Sequence, residues 1–255
     1  MMIDTHCHLD APEFHQRLDE VIAAARRAGV ERFVIPGVAP GGWDGIRQLA
    51  RERPFVLPAF GIHPQHAAQA GRRELDRLAD LAPSAVAIGE IGLDYLLPDQ
   101  SRQVQQDIFR AQLRIAGSSA RPVLIHCRKA FRDLLAILAE EDGIRCSGVM
   151  HSFSGSPEIA RDCIAAGLFI AVSGTVTYRN AVRPVEVVRQ TPLTRLLLET
   201  DAPDLTPEPY RGRLNEPAYL GEIARRVAEI KNVPVEEVTR VTTANAGTLF
   251  GFLPR

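Results

Sequence analysis

The stretch Ile3-Asp4-Thr5-His6-Cys7-His8 opens the chain with an apolar, β-tolerant run that stops at the turn signal Asp10-Ala11-Pro12. Read as a strand, it sends alternate side chains to opposite faces, so His6 and His8 point one way and Cys7 the other. Two imidazoles on one face of a strand end can converge on a metal ion at roughly 2.0–2.1 Å per nitrogen, which a lone histidine cannot do. They can equally be two ordinary polar residues at a strand terminus. The remaining strand ends decide between these readings.

Outward from that strand the chain repeats one pattern. Residues 13–28 carry Phe14, Leu18, Val21, Ile22 and Ala25 at helical spacing and close at Gly29, and residues 32–37 form a short apolar run ended by Pro36-Gly37. Helices over 43–53, 74–81, 101–120, 131–141, 157–166 and 182–190 then alternate with strands over 55–64, 86–95, 122–126, 148–151, 168–174 and 196–201. The last two helices cover 216–231 and 235–250. Eight strands alternating with helices in 255 residues predict an α/β fold, a closed (β/α)8 TIM barrel, as a single domain over 1–255. Near-continuous apolar strands suit a parallel sheet covered on both faces. A doubly wound open sheet is the alternative, but no Gly-x-Gly-x-x-Gly turn follows the first strand.

Composition narrows the partners. The chain is 45% hydrophobic and 24% charged, ordinary for a globular protein, and its net charge of -1 provides no general attraction to nucleic acid. Any phosphate recognition must therefore be local. Asp4 and His6 interrupt the place where a signal peptide would have its apolar core, and no apolar run is long enough to span a bilayer. Cys7, Cys127, Cys146 and Cys163 form no CxxC pair, which fits reduced packing thiols in a cytoplasmic protein. No membrane association and no obligate protein partner are expected.

The side chains able to hold a metal fall at strand ends: His6 and His8 on the first, Glu90 on the fourth, His126 on the fifth, His151 on the sixth and Asp201 on the eighth. In a (β/α)8 barrel all carboxyl ends of the strands open on one face, and that face carries the active site. Of the seven histidines, five (His6, His8, His63, His126 and His151) sit at such ends, while His15 and His66 do not. Imidazole with carboxylate and no thiolate suits Zn²⁺, Mn²⁺, Fe²⁺, Ni²⁺ or Co²⁺ better than Ca²⁺; Mg²⁺ stays a candidate, although it favours more oxygen. Alternation keeps Cys7 and Cys127 off the ligand face. Six candidates overprovide a single tetrahedral ion, whereas two divalent metal ions about 3.5–4 Å apart, bridged by Glu90, would use them all. Asp201 is then the natural general base.

At these residues the sequence resembles the TatD family of metal-dependent hydrolases, within the amidohydrolase-like superfamily. The matching stretches are Ile3-Asp4-Thr5-His6-Cys7-His8-Leu9-Asp10, Gly61-Ile62-His63-Pro64, Gly89-Glu90-Ile91-Gly92-Leu93-Asp94-Tyr95, Pro122-Val123-Leu124-Ile125-His126, His151-Ser152-Phe153-Ser154-Gly155, Leu198-Glu199-Thr200-Asp201-Ala202-Pro203 and Arg213-Leu214-Asn215-Glu216-Pro217. They run in family order across nearly the whole chain. The resemblance implies a barrel with a divalent-metal site of His6, His8, Glu90, His126, His151 and Asp201, and a hydrolase often described as a deoxyribonuclease. It also implies that His63, Tyr95, Arg128 and Asn215 line the site or its loops. One departure stands out: the family often reads Arg-Asp-Ala after the strand-five histidine, where this chain has Arg128-Lys129-Ala130. As the first helical residue, position 129 is expected to bear on the helix start or pocket rim rather than on metal ligation.

Phosphodiester hydrolysis of DNA, of exodeoxyribonuclease type, is the leading expectation, with Arg128, Arg179, Arg211 and Arg213 in loops expected on the catalytic face to hold phosphate oxygens. Amide or ester hydrolysis, including deacylation of a nucleic-acid-linked substrate, needs the same activated water. A non-catalytic interaction protein stabilised by metal is the third reading, and it would show a coordinatively closed site. Residues 203–217 are read as a connector from the last strand rather than as a groove wall.

Overall fold

Side chains alternating inward and outward close eight strands into a barrel, and the inward set leads directly to the site. The computed structural model describes residues 1–141 and 147–252; Cys146 lies outside them. The strands are β1 (Met2–Asp4), β2 (Val30–Ile35), β3 (Val56–Phe60), β4 (Ala87–Asp94), β5 (Val123–Arg128), β6 (Gly148–Met150), β7 (Leu168–Val172) and β8 (Leu196–Leu198). They pair in chain order, every pair parallel. Around them lie α1 (Leu18–Arg27), α2 (Trp43–Glu52), α3 (Arg72–Leu81), α4 (Arg102–Ser118), α5 (Phe131–Glu140), α6 (Pro157–Ala165), α7 (Arg183–Gln190), α8 (Leu220–Lys231) and α9 (Val235–Phe250). This is the expected TIM barrel.

The seam between β8 and β1 is made just beyond the regular strands. Thr5 N donates to Leu198 O at 3.1 Å, Asp201 N to His6 O at 2.9 Å and His8 N to Ala202 O at 2.7 Å. Regular β1 is therefore shorter than the expected strand. Past Asp4 the segment is shared between β8 and β2, with Cys7 N donating to Val34 O at 3.1 Å. Two helices also start later than expected, because Pro12 and Pro217 each nucleate a 3₁₀ turn before α1 and α8.

One apolar cluster fills the barrel interior. It takes inward residues from every strand, among them Ile3, Val34, Leu57, Leu124, Val149 and Leu197, and is joined by Ala246, Leu249 and Phe250 of α9. Helix α9 thus floors the amino-terminal end, tied there by Thr243 Oγ1 to Met1 O at 3.1 Å and by Asn245 Nδ2 to Leu193 O at 3.0 Å and Leu196 O at 2.9 Å. The larger cluster packs the outer strand faces, such as Ile88, Ile125 and Met150, against helix residues such as Leu78, Phe109 and Leu134.

Period-two alternation then carries the inward set to the carboxyl-terminal mouth: Leu124 leads to His126, Val149 to His151, and Leu197 to Glu199 and Asp201. Strand β4 breaks that rhythm. Its register with β5 shifts between Ile88 and Ile91, the kind of irregularity that re-aims a side chain, and Glu90 lies inside the shift. Two glycines permit it. A Cβ on Gly89 would lie 2.4 Å from Leu124 Cβ, and one on Gly92, whose φ is +141°, would lie 1.9 Å from His126 O.

Candidate metal centre

The strand ends gather six side chains around Glu90, which is 4% exposed. Its two oxygens divide the histidines. Oε2 faces His6 Nε2 at 3.4 Å, whereas Oε1 faces His126 Nδ1 at 2.9 Å, His151 Nε2 at 3.6 Å and His63 Nε2 at 3.7 Å. Opposite it, Asp201 Oδ1 stands 3.7 Å from both His6 Nε2 and His8 Nε2 and 3.8 Å from His151 Nε2. Asp201 occupies the left-handed region at φ +58°, sparsely populated by non-glycine residues outside functional sites. The rings of His6 and His151 stack with centroids 3.5 Å apart.

These separations fit a cation better than hydrogen bonds. Most lie between 3.4 and 3.8 Å, too long for N–H···O bonds. They approach the distance of about 3.3 Å between two donors on one tetrahedral ion with arms of roughly 2.0–2.1 Å. Both ring nitrogens of His6 are buried without a hydrogen-bond partner among the described residues, a costly state that a ligated ion would relieve at the inward nitrogen. Among the described residues, three groups bring one donor atom per residue within 4.8 Å of each other: His6, His8 and Glu90; His6, His151 and Glu199; and His63, Glu90 and His126. The residues fit a divalent metal.

Electrostatics point the same way. Asp4, Glu90, Asp94 and Glu199 are all buried here, and buried carboxylates need compensating positive charge. Burial opposes ionisation of Glu90, but His151, His6, His63 and the His126 contact outweigh it and hold its pKa well below the usual range. Burial likewise opposes protonation of His151, but Glu199, Asp201 and Glu90 overcome it and carry the imidazole up to about 10. Without metal, therefore, a proton on His151 supplies positive charge at the centre. Burial lowers the pKa of His6 and takes His63 down to about 4, and it raises that of Asp201 against the pull of His151, His6 and His8.

Above the cluster opens a cavity of about 950 Å³ lined by His63, Asp94, His126, Arg128, His151 and Asp201, with Phe153, Tyr178, Arg183 and Leu205 on its walls. His63 caps the turn after β3, its Nδ1 accepting from Gln65 N at 3.2 Å. Two residues expected at the site turn elsewhere. Tyr95 donates its hydroxyl to Asp133 at 2.6 Å and lies beneath the Arg102 guanidinium, so it braces α4 and α5 instead of lining the cavity. Asn215 is fully buried and donates to Thr200 O at 2.8 Å and Asp204 O at 2.5 Å, which clamps the loop behind Asp201.

Other expectations need correction as well. Cys7 is buried towards β2, but Cys127, expected off the ligand face, forms part of the cavity wall; burial pushes its thiol pKa up, which disfavours a thiolate ligand. Lys129 is not helical: it lies at φ +55° before α5 begins at Phe131. Arg179, Arg211 and Arg213 are exposed and do not line the cavity, although Arg211 stacks on Tyr178 at 4.0 Å. Asp204 and Leu205 of the 203–217 connector reach the cavity wall.

Sequence reasoning passed over three acids. Asp94 Oδ2 lies 3.4 Å from His126 Nε2, Glu199 Oε1 lies 3.1 Å from His151 Nδ1, and Asp4 accepts from Thr200 N at 2.9 Å. The Glu199 contact is too bent to count as a hydrogen bond, yet the same oxygen accepts from Ser152 N at 2.5 Å. Glu199 was within reach, two residues before Asp201 on the inward row that runs on from Leu197 past the end of β8. Asp94 was not, because it follows the register shift in β4.

Known proteins are similar to this chain over nearly its whole length. The family described as TatD related DNase matches residues 3–251. The chain is 39% identical over 252 residues to the uncharacterised metal-dependent hydrolase YabD of Bacillus subtilis, covering 98% of this chain and 99% of that one. It is 38% identical over 254 residues to the uncharacterised metal-dependent hydrolase YcfH of Escherichia coli, covering 98% and 95%. The crystal structure of YjjV, a TatD homologue from E. coli, superposes with a TM-score of 0.93 at 32% identity, over 99% of this chain and 98% of that one.

Proposed function

The chain belongs to the TatD related DNase family of metal-dependent hydrolases, and from that premise we propose that it hydrolyses phosphodiester bonds of DNA, releasing nucleotides from an end. The observation that carries this reading is the division of Glu90 between two groups of histidines, which suits two divalent ions sharing one carboxylate. His6, His8 and Asp201 would hold one ion, His126 and His151 the other. Zn²⁺, Mn²⁺, Ni²⁺ or Co²⁺ match the donors best. Such ions lower the pKa of water and stabilise negative charge on a phosphoryl group.

The protein's own residues do the rest. Asp201, at the floor of the open cavity, accepts the proton of the attacking water. Arg128 and His63 both line the cavity, which supports a reading in which Arg128 holds a phosphate oxygen and His63 faces the reacting group. The buried free thiols Cys7, Cys127 and Cys163 suit a cytoplasmic setting.

The test is incubation of metal-loaded protein with 3′-labelled single-stranded DNA. Mononucleotide release is expected, falling to background in Asp201→Ala. No release above a metal-free control would overturn the assignment.

A further inference from the structure

The cavity above the metal centre is larger than a reacting phosphodiester group requires. At about 950 Å³ it matches pockets that enclose a whole small molecule, so a phosphate at the floor leaves room for the base and sugar attached to it. One side of the cavity is built jointly by the loop after β7, with Tyr178 and Arg183, and the connector after β8, with Asp204 and Leu205. These two segments are locked together. Glu208 N donates to Thr177 Oγ1 at 2.9 Å, Thr177 Oγ1 donates to Gly174 O at 2.6 Å, and Gly174 leaves no space for a Cβ against Leu205 O. Farther along the connector, Thr206 Oγ1 donates to Arg213 O at 2.8 Å, and the rings of Tyr210 and Tyr219 stack 4.0 Å apart. The wall is therefore formed in advance of any ligand.

Among the described residues, two aromatic side chains other than histidine line the cavity, Phe153 and Tyr178. Phe153 is buried, with its ring packed 5.5 Å from that of Phe131, whereas Tyr178 is half-buried. The Arg211 guanidinium lies 4.0 Å from the centroid of the Tyr178 ring, yet Arg211 does not line the cavity. The cation thus covers the ring from behind and leaves its front to the space above His151 and Asp201. A planar ring held by a cation and fronting an open cavity suits the face of a nucleobase. Arg183, exposed on the same wall, supplies charge for a phosphate beside it.

We propose that Tyr178, braced by Arg211, is the platform on which a base of the bound strand stacks, and that this stacking sets how tightly the nucleotide end is held. The proposal rests on the phosphodiesterase reading above and is independent of how the metal is ligated. Because every base has a π-face, the platform grips bases without reading sequence.

The test offers the Mn²⁺-loaded full chain a short single-stranded oligodeoxynucleotide and its stable abasic counterpart, which keeps the backbone and lacks the bases. The parent is expected to hydrolyse the base-bearing strand with a kcat/KM roughly 10-fold higher than the abasic one, chiefly through KM. Tyr178→Leu should hydrolyse both at the slower of these two rates, whereas Tyr178→Phe, which keeps the ring, should retain the preference. Arg211→Gln, at an exposed position, removes the brace and should lose part of it. Equal rates of the parent on the two strands, or an undiminished preference in Tyr178→Leu or Arg211→Gln, would overturn the proposal. A parent that hydrolyses neither strand would instead overturn the phosphodiesterase reading itself.

Discussion

Replacing Asp4 by asparagine should make metal-free protein lose less stability between pH 5 and pH 8. Asp4 is fully buried between β1 and the residues after β8, accepting from Thr200 Oγ1 at 2.5 Å, Thr200 N at 2.9 Å and His6 N at 3.3 Å. Burial raises its carboxyl from 3.8 to about 7, against the pull of those hydrogen bonds. Between these values the folded state keeps a proton that the unfolded state has released, so stability falls as pH rises and the loss is complete above about 7. The gap is about three pH units, roughly 4 kcal/mol in full, of which about two units, or roughly 3 kcal/mol, are expressed between pH 5 and pH 8. In Asp4→Asn the amide oxygen can still accept from the backbone and its NH₂ can donate to Thr200 Oγ1, but nothing titrates. At about 2–4 °C per kcal/mol for a chain of this size, the variant should gain roughly 6–12 °C on the parent at pH 8 relative to pH 5. Scanning calorimetry of chelator-treated protein at both pH values measures it. Parallel behaviour of parent and variant would show that the Asp4 carboxylate is accommodated without cost, and the linkage reasoning would fail.

Gly92→Ala should be far more damaging than an ordinary surface substitution, because its Cβ would fall 1.9 Å from His126 O at φ +141°; a loss above about 3 kcal/mol, with the variant recovered largely insoluble, is expected from thermal melts and expression yield. Metal content after dialysis, by elemental analysis, should fall as pH drops through the imidazole range near about 6.5, since protonated histidine cannot ligate, and it should return on neutralisation. Content unchanged down to pH 4 would speak against histidine ligands.

The barrel was legible because its strands are short apolar runs closed by Gly, Pro or a polar residue, and because alternation predicts faces well inside a regular strand. His126 and His151 continue the inward rows that begin at Leu124 and Val149, so counting by two suffices to place them. Alternation could not place Glu90, which the register shift in β4 turns to the centre, nor the direction of a side chain once its strand has ended. Tyr95 and Asn215 were expected at the site or its loops through the family resemblance alone, which gives a place in the sequence and not the direction of a side chain. Their hydrogen bonds were taken instead by Asp133 and by the carbonyls of Thr200 and Asp204, partners distant in sequence or hidden in a loop. Asp4 was hidden for a different reason: a carboxylate in an apolar strand reads as an end, although here it is the polar latch of the seam.

The floor laid by α9 ties that helix to Met1 and the first strand. Until residues 243–250 have left the ribosome, the inner row of Ile3, Val34, Leu124 and Leu197 has no cover below and Met1 no partner in Thr243. A nascent chain can pair its staves early, but it cannot seal the cask until α9 is made, so that helix ends the exposure of the apolar interior.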